Sequence, residues 1–249
     1  MLKALLFDVD GTLADTEREG HRLAYNEAFV AHGLEWQWSA EFYGQLLAVT
    51  GGKERLRHYL EQFQPDVAWD PATGGLIGAV YQTKTELYQR RLLAGEIPLR
   101  PGVARLLREA RTAGLLLGVV TTTSPGNVTT LLEQTLGAEA LDWFSVIAAG
   151  DIVPAKKPAP DIYLWALAQL QLPASACLAI EDSAVGLQAA TGAGLATLIT
   201  VNDYTRGEDF GGALAVLSDL GEPDAPYRRL DQGGSGVVDV AQLHAWLSQ

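Results

Sequence analysis

The sequence predicts an α/β fold: a Rossmann-like parallel sheet whose first strand is followed by an inserted α-helical block. Three observations lead there. A short apolar run, Ala4–Phe7, stands near the start of the chain. The stretch 15–97 carries helical spacing and no convincing strand. From Arg100-Pro101-Gly102 onward, helical patterns alternate with short apolar runs. Such alternation implies parallel strands joined by right-handed crossovers.

The elements follow in order. Ala4–Phe7 reads as a strand buried on both faces. A helix is expected at Arg22–Ala31, where Leu23, Ala24, Ala28 and Phe29 share a face. Further helices are expected at Ala40–Ala48, Lys53–Gln62 and Leu76–Leu93. Then come helix Val103–Ala113, strand Leu115–Thr121, helix Asn127–Leu136 and strand Phe144–Ala148. Helix Pro160–Leu170, strand Ala176–Ile180, helix Ala184–Ala193 and strand Ala196–Thr200 continue the alternation. The Gly-, Pro- and charge-rich stretch Gly221–Gly236 reads as surface loop, and a helix Asp239–Leu247 follows. The core would comprise 1–14 and 98–249, with 15–97 as a separate helical cap.

Composition narrows the function classes. The 249 residues carry a formal net charge of −12, which argues against nonspecific binding to nucleic acid or to an anionic membrane. The apolar runs fall well short of the ~20 residues of a membrane span. The first of them stops at Asp8 with no cleavage pattern behind it, so no signal peptide is expected. A single cysteine, Cys177, excludes an internal disulfide and suits a reducing, cytoplasmic setting. A small phosphorylated ligand stays compatible, because a few local cations can dominate one pocket.

In open parallel sheets the ligand sits outside the carboxyl ends of the strands. Those ends read Asp8-Val9-Asp10-Gly11-Thr12, Thr121-Thr122-Thr123-Ser124, Gly150-Asp151 leading to Lys156-Lys157-Pro158, and Glu181-Asp182-Ser183. Converging carboxylates repel unless a cation joins them, and hard oxygen ligands suit Mg²⁺. Lysine and hydroxyl groups hold phosphoryl oxygens. Residues i and i+2 of a strand share a face, so Asp8 and Asp10 can act together. One carboxylate can serve as nucleophile and the other as general acid and base. Blander readings exist for each piece. Asp-x-Asp-Gly can be a simple turn, although its glycine stands too early for a calcium loop. Thr121–Thr123 can cap the following helix, and either Lys156 or Lys157 can be merely solvated.

Together, Asp8-Val9-Asp10-Gly11-Thr12, Thr121, Lys157 before Pro158-Ala159-Pro160-Asp161, and Glu181-Asp182 resemble the four motifs of the haloacid-dehalogenase superfamily of phosphotransferases. They stand in the family's order and spacing, and the helical insert resembles its small cap. The resemblance implies that Asp8 attacks phosphorus and Asp10 is the acid/base. It implies that Asp182, Asp8 and the Asp10 carbonyl bind Mg²⁺, with Glu181 supporting the ion directly or through water. Thr121 and Lys157 would stabilise the transferring phosphoryl group, with Thr122 and Thr123 alongside as substrate-binding residues.

The insert sharpens the likeness. Gly20-His21-Arg22 with Tyr25-Asn26, Thr50-Gly51-Gly52-Lys53-Glu54-Arg55, and Lys84-Thr85-Glu86 resemble the CbbY-type branch. That branch belongs with Calvin-cycle genes and includes xylulose-1,5-bisphosphate phosphatases, which remove a misfire product that inhibits Rubisco. The implied substrate is a small phosphorylated sugar, and the implied substrate-binding residues are Glu17, His21, Thr50, Gly51, Gly52, Lys53, Arg55 and Lys84. Arg100 would help at the hinge, and a monomer is expected. Paired glycines before a helix suit close approach to an anion, although taken alone an ordinary helix start with surface cations is the better reading of them. Against some members, His21 is displaced by one residue, about 100° on a helix. The insertion is either absorbed near Gly20 or turns His21 away. The competing readings are a β-phosphoglucomutase-like sugar-phosphate mutase, a phosphatase for another small phosphate ester, and a catalytically silent binding protein.

Overall fold

In the computed structural model, residues 1–49, 51–68 and 70–248 are described. They form two compact units: Met1–Asp15 with the chain from Pro98 onward, and Thr16–Ile97.

The first unit is built on a parallel six-stranded sheet. Its strands are β1 (Ala4–Phe7), β2 (Leu116–Thr121), β3 (Phe144–Ala149), β4 (Cys177–Glu181), β5 (Ala196–Thr200) and β6 (Ala215–Leu217), in the spatial order β3-β2-β1-β4-β5-β6. The order reverses at β1, which pairs with β2 on one side and β4 on the other. All residues of β1 and β4 are buried, as befits strands covered by helices on both faces. Gly118 lets β2 lie close to its neighbours, since a Cβ there would come within 2.6 Å of Leu6 and 2.7 Å of Val146. On one face Leu6, Val120 and Ala179 pack against Ile162, Tyr163 and Ala166 of a helix at Asp161–Leu170. Side-chain oxygens of Ser124, Ser183 and Asp239 accept main-chain N–H groups at the starts of helices Pro125–Leu136, Ala184–Gly192 and Val240–Leu247.

Two expectations need correction here. The sheet has a sixth strand, β6, which three residues were too few to announce. The stretch 221–236 is not all loop: β7 (Tyr227–Arg228) and β8 (Ser235–Gly236) pair antiparallel within it. Two-residue strands carry no alternation to read. The outgoing and returning chains are also tied together. Arg100 N–H donates to the Leu13 carbonyl at 2.8 Å, and Ala14 bridges Leu99.

The second unit is helical: α1 (Arg22–Ala31), α2 (Ala40–Leu46), α3 (Gly52–Phe63), the one-turn helix α4 (Pro65–Ala68) and the long helix α5 (Thr73–Leu93). Its core is aromatic, with Tyr25, Phe29, Trp38, Tyr43 and Tyr59 in mutual ring contact. A π-helical turn, Glu17–His21, leads into α1. A π turn is the usual way for a helix to take up one extra residue. Gly20 sits inside it, where a Cβ would overlap Ile97 and Tyr88. Among the described residues, no helix is long and apolar enough to cross a membrane.

Candidate active site

The three central strands deliver the polar groups of the candidate site. Asp8 follows β1, Thr121 ends β2, and Glu181 ends β4 with Asp182 next to it. Because β2, β1 and β4 are adjacent, these residues meet at one edge of the sheet. Lys157 joins them from the segment between β3 and the helix Asp161–Leu170. Its Nζ donates to Asp8 Oδ1 (2.7 Å), the Val120 carbonyl (2.8 Å) and Glu181 Oε1 (2.5 Å). Lys156 instead stands outside, pairing with Asp151 at 3.0 Å.

Asp10 lies half-buried in a turn closed by Leu13 N–H on the Val9 carbonyl (2.9 Å) and Gly11 N–H on the Ala14 carbonyl (2.8 Å). Gly11 occupies φ 85°, a region L side chains avoid, and a Cβ there would overlap the Asp182 carboxylate. The Thr121 hydroxyl hydrogen-bonds Asp8 and accepts Thr123 N–H at 3.3 Å. Thr123 Oγ1 accepts Asn127 Nδ2 at 3.2 Å, and Thr122 is half-buried beside it.

Burial sets the electrostatics. Desolvation raises the Asp8 carboxyl; Lys157 opposes this and Asp10 adds to it. Burial likewise pushes Glu181 up to about 7, against the pull of Lys157. Asp182 is held well above the usual carboxylate range by burial and then by Asp8 and Glu181. Burial also works against the charge on Lys157, but Asp8 and Glu181 outweigh it and keep the ammonium protonated. One cation thus faces three buried carboxylates whose ligand atoms all lie within 4.8 Å of one another. An all-oxygen set of this size, short of positive charge, fits a hard divalent cation. Asp10 enters no such carboxylate group; the part expected for it as a metal ligand used its main-chain carbonyl.

Two supporting residues were not anticipated. Tyr163, fully buried, donates its hydroxyl to Glu181 Oε1 at 2.6 Å. Asn202, just past β5, donates Nδ2 to Asp182 Oδ2 at 2.6 Å. Neither belongs to a motif; only the spacing Lys157-x₅-Tyr163, one helical turn into the next element, hinted at the first.

Arg100 differs from its expected part in substrate binding. Its guanidinium is buried and donates to the carbonyls of Gly11, Thr200 (2.8 Å), Val201 (2.5 Å) and Ser218 (2.8 Å), while Nε faces Asp15 at 3.4 Å. Both terminal nitrogens of the fork have protein acceptors and Nε pairs with Asp15, so Arg100 is a tie within the first unit.

The second unit gathers its own polar groups. Tyr43 donates to Glu17 Oε2 at 2.5 Å and accepts from Arg55 at 2.8 Å, which also reaches the Leu46 carbonyl at 3.3 Å. Lys84 Nζ lies 2.9 Å from His21 Nδ1 and 5.1, 5.8 and 5.3 Å from the ring centres of Tyr25, Tyr81 and Tyr88. His21 therefore points inward, to Lys84, at the end of the π turn Glu17–His21. Burial first, then Lys84 and Arg55, hold the His21 imidazole well below its ordinary value, so it is neutral and accepts at Nδ1. Gly51 (φ 96°) and Gly52 start α3, and a Cβ on either would strike Glu54, or Tyr81 and the Tyr25 hydroxyl. Glycine is thus favoured at 51 by its backbone conformation and at 52 by Tyr81 and Tyr25. Lys53 is exposed, 5.3 Å from the Tyr81 ring centre, and Thr50 lies outside the described residues.

The profile of haloacid dehalogenase-like hydrolases matches residues 2–194. The chain belongs to this family. It is an enzyme, a hydrolase of the phosphatase kind. It is 47% identical over 246 residues to the plasmid CbbY protein of Cupriavidus necator, covering 98% of this chain and 96% of that protein. It is 48% identical over 219 residues to CbbY of Rhodobacter capsulatus, covering 88% and 94%. Among solved structures, a CbbY mutant from Rhodobacter sphaeroides in complex with xylulose-(1,5)bisphosphate matches with TM-score 0.80 and 47% identity, covering 88% of this chain and 95% of that one. The β-phosphoglucomutase of Clostridium difficile matches with TM-score 0.74 at 20% identity, a likeness of fold alone.

Proposed function

We propose that this protein is a Mg²⁺-dependent sugar-bisphosphate phosphatase that dephosphorylates xylulose-1,5-bisphosphate through an aspartyl-phosphate on Asp8. The observation that carries the reaction is that Lys157 bridges Asp8 and Glu181, with Asp182 beside them, at the ends of adjacent strands. The likeness to CbbY, solved with that sugar bisphosphate, supports the substrate.

In the first step an Asp8 carboxylate oxygen bonds to phosphorus and the bond from phosphorus to the sugar oxygen breaks. Asp10 delivers its proton to the departing sugar oxygen. In the second step Asp10 takes a proton from water, whose oxygen bonds to phosphorus as the Asp8–phosphorus bond breaks. Inorganic phosphate leaves and Asp8 is restored. Asp8, Asp182, Glu181 and the Asp10 carbonyl would hold the cation, which supplies charge neutralisation for the phosphoryl oxygens when bound. Lys157 and Thr121 favour the ionised form of Asp8 against the effect of its burial and aim its carboxylate. Glu17, His21, Lys53, Arg55 and Lys84 of the cap would recognise the rest of the substrate, including its second phosphate.

The test is phosphate release from a panel of sugar mono- and bisphosphates with and without Mg²⁺. Preferred, Mg²⁺-dependent release from xylulose-1,5-bisphosphate is expected. Isomerisation of a sugar monophosphate without net release would replace the reading with a mutase, and no turnover of any phosphate ester would sink it.

A further inference from the structure

Asp182 is fixed by one neighbour outside the four motifs. Asn202 Nδ2 donates to Asp182 Oδ2 at 2.6 Å. The orientation of that carboxamide is set by its other end, where Oδ1 accepts Tyr204 N–H (2.8 Å) and Thr205 N–H (3.2 Å). Flipping the amide would put its oxygen against the carboxylate and its NH₂ against two N–H donors, so only one arrangement satisfies all partners. The residue is itself anchored: Asn202 N–H donates to Thr205 Oγ1 (3.1 Å), and the two preceding carbonyls, Thr200 and Val201, are clamped by Arg100. On the far side the Asp182–Asn202 pair rests on the Cα of Gly11, where even a methyl group would overlap both side chains.

A carboxylate engaged this way has one oxygen occupied by a charge-assisted hydrogen bond and the other available to a cation. Mg²⁺ demands near-ideal octahedral geometry from single oxygens, whereas Ca²⁺ accepts six to eight oxygens and bidentate carboxylates. We infer that Asn202 is a positioning residue that confines Asp182 to one metal-facing oxygen and thereby selects a small six-coordinate cation over a large one. The inference rests on the proposed metal-dependent reading of the site.

The experiment measures metal binding to the substrate-free protein, with no turnover involved. Mn²⁺ binding is followed by the loss of its free electron-paramagnetic signal, and Mg²⁺ and Ca²⁺ are then used as competitors. Asn202→Ala removes the donor, and Asn202→Asp removes it while keeping the acceptor for Tyr204 and Thr205, so at least one variant preserves the loop. For Asn202→Ala, Mg²⁺ affinity should fall by about tenfold, the lower end of what loss of a ligand's supporting hydrogen bond costs. In both variants the ratio of Mg²⁺ to Ca²⁺ affinity should shift toward Ca²⁺. An unchanged ratio in a folded variant overturns the inference. Absence of Mn²⁺ binding to the wild-type protein would overturn the metal-dependent reading itself, a separately visible result.

Discussion

Lys157 Nζ lies 2.7 Å from Asp8 Oδ1, so the proposed nucleophile and its counter-charge form one buried pair. Removing one partner strands the other. Lys157→Met should lower kcat by at least ~10²-fold. It should also cost about 3–5 kcal/mol of stability, the typical penalty for breaking a buried pair, because Asp8 and Glu181 lose their cation together. Phosphate release and urea unfolding measure the two effects; a fully active, equally stable variant contradicts the assignment.

Asp8 and Asp10 should separate cleanly. Asp8→Asn should abolish turnover while leaving substrate binding measurable by calorimetry, since an amide cannot form the acyl-phosphate. Asp10→Asn should lower kcat by about 10²–10⁴, the usual contribution of a general acid–base, with KM nearly unchanged. A larger effect on KM than on kcat would move Asp10 from proton transfer to binding.

Arg100 distinguishes a tie from a substrate ligand. Its buried guanidinium satisfies the carbonyls of Gly11, Thr200, Val201 and Ser218. Arg100→Met would leave them without donors and should cost about 2–4 kcal/mol, at roughly 1–3 kcal/mol per buried unsatisfied group after relaxation. Arg100→Lys should recover little, because an ammonium cannot span the fork. A change confined to KM, at unaltered unfolding midpoint, would return Arg100 to substrate binding.

His21 gives the second unit a pH dependence of definite sign. Its folded pKa is depressed, well below 6.5, by burial and by Lys84. Above about 6.5 the residue is neutral in both the folded and unfolded chain and contributes no pH dependence. As pH falls below about 6.5 the unfolded chain takes up a proton that the folded one refuses, and stability drops by up to about 1.4 kcal/mol per pH unit. Urea unfolding between pH 7 and 5 measures this slope. The raised carboxyls, Glu181 at about 7 among them, contribute a slope of opposite sign to both proteins, so the His21 share is the difference between wild type and His21→Asn; equal slopes in the two would remove His21 from the account.

Much of this was legible because the candidate site is written in short-range signals. Asp8, Thr121 and Glu181-Asp182 each end an apolar run, and Lys157 stands before a proline-marked helix start, so strand ends and chemistry were visible together. What stayed hidden depends on partners distant in sequence. Tyr163 and Asn202 have no pattern of their own, and their importance lies only in which carboxylate they reach. The contacts of Arg100 were hidden for a related reason: its acceptors are main-chain carbonyls, which every residue carries and which no motif records. The π turn Glu17–His21 has no periodicity of its own in five residues, so the direction of His21 was readable only from the backbone.

Lys157 has three N–H bonds and three acceptors, Asp8, the Val120 carbonyl and Glu181. It is a saturated donor. A phosphoryl oxygen arriving at Asp8 finds no unassigned proton on this ammonium, and gains one only by displacing an existing partner. Unless such an exchange occurs, the lysine acts on the reaction as a fixed positive field rather than as a hand that grips the substrate.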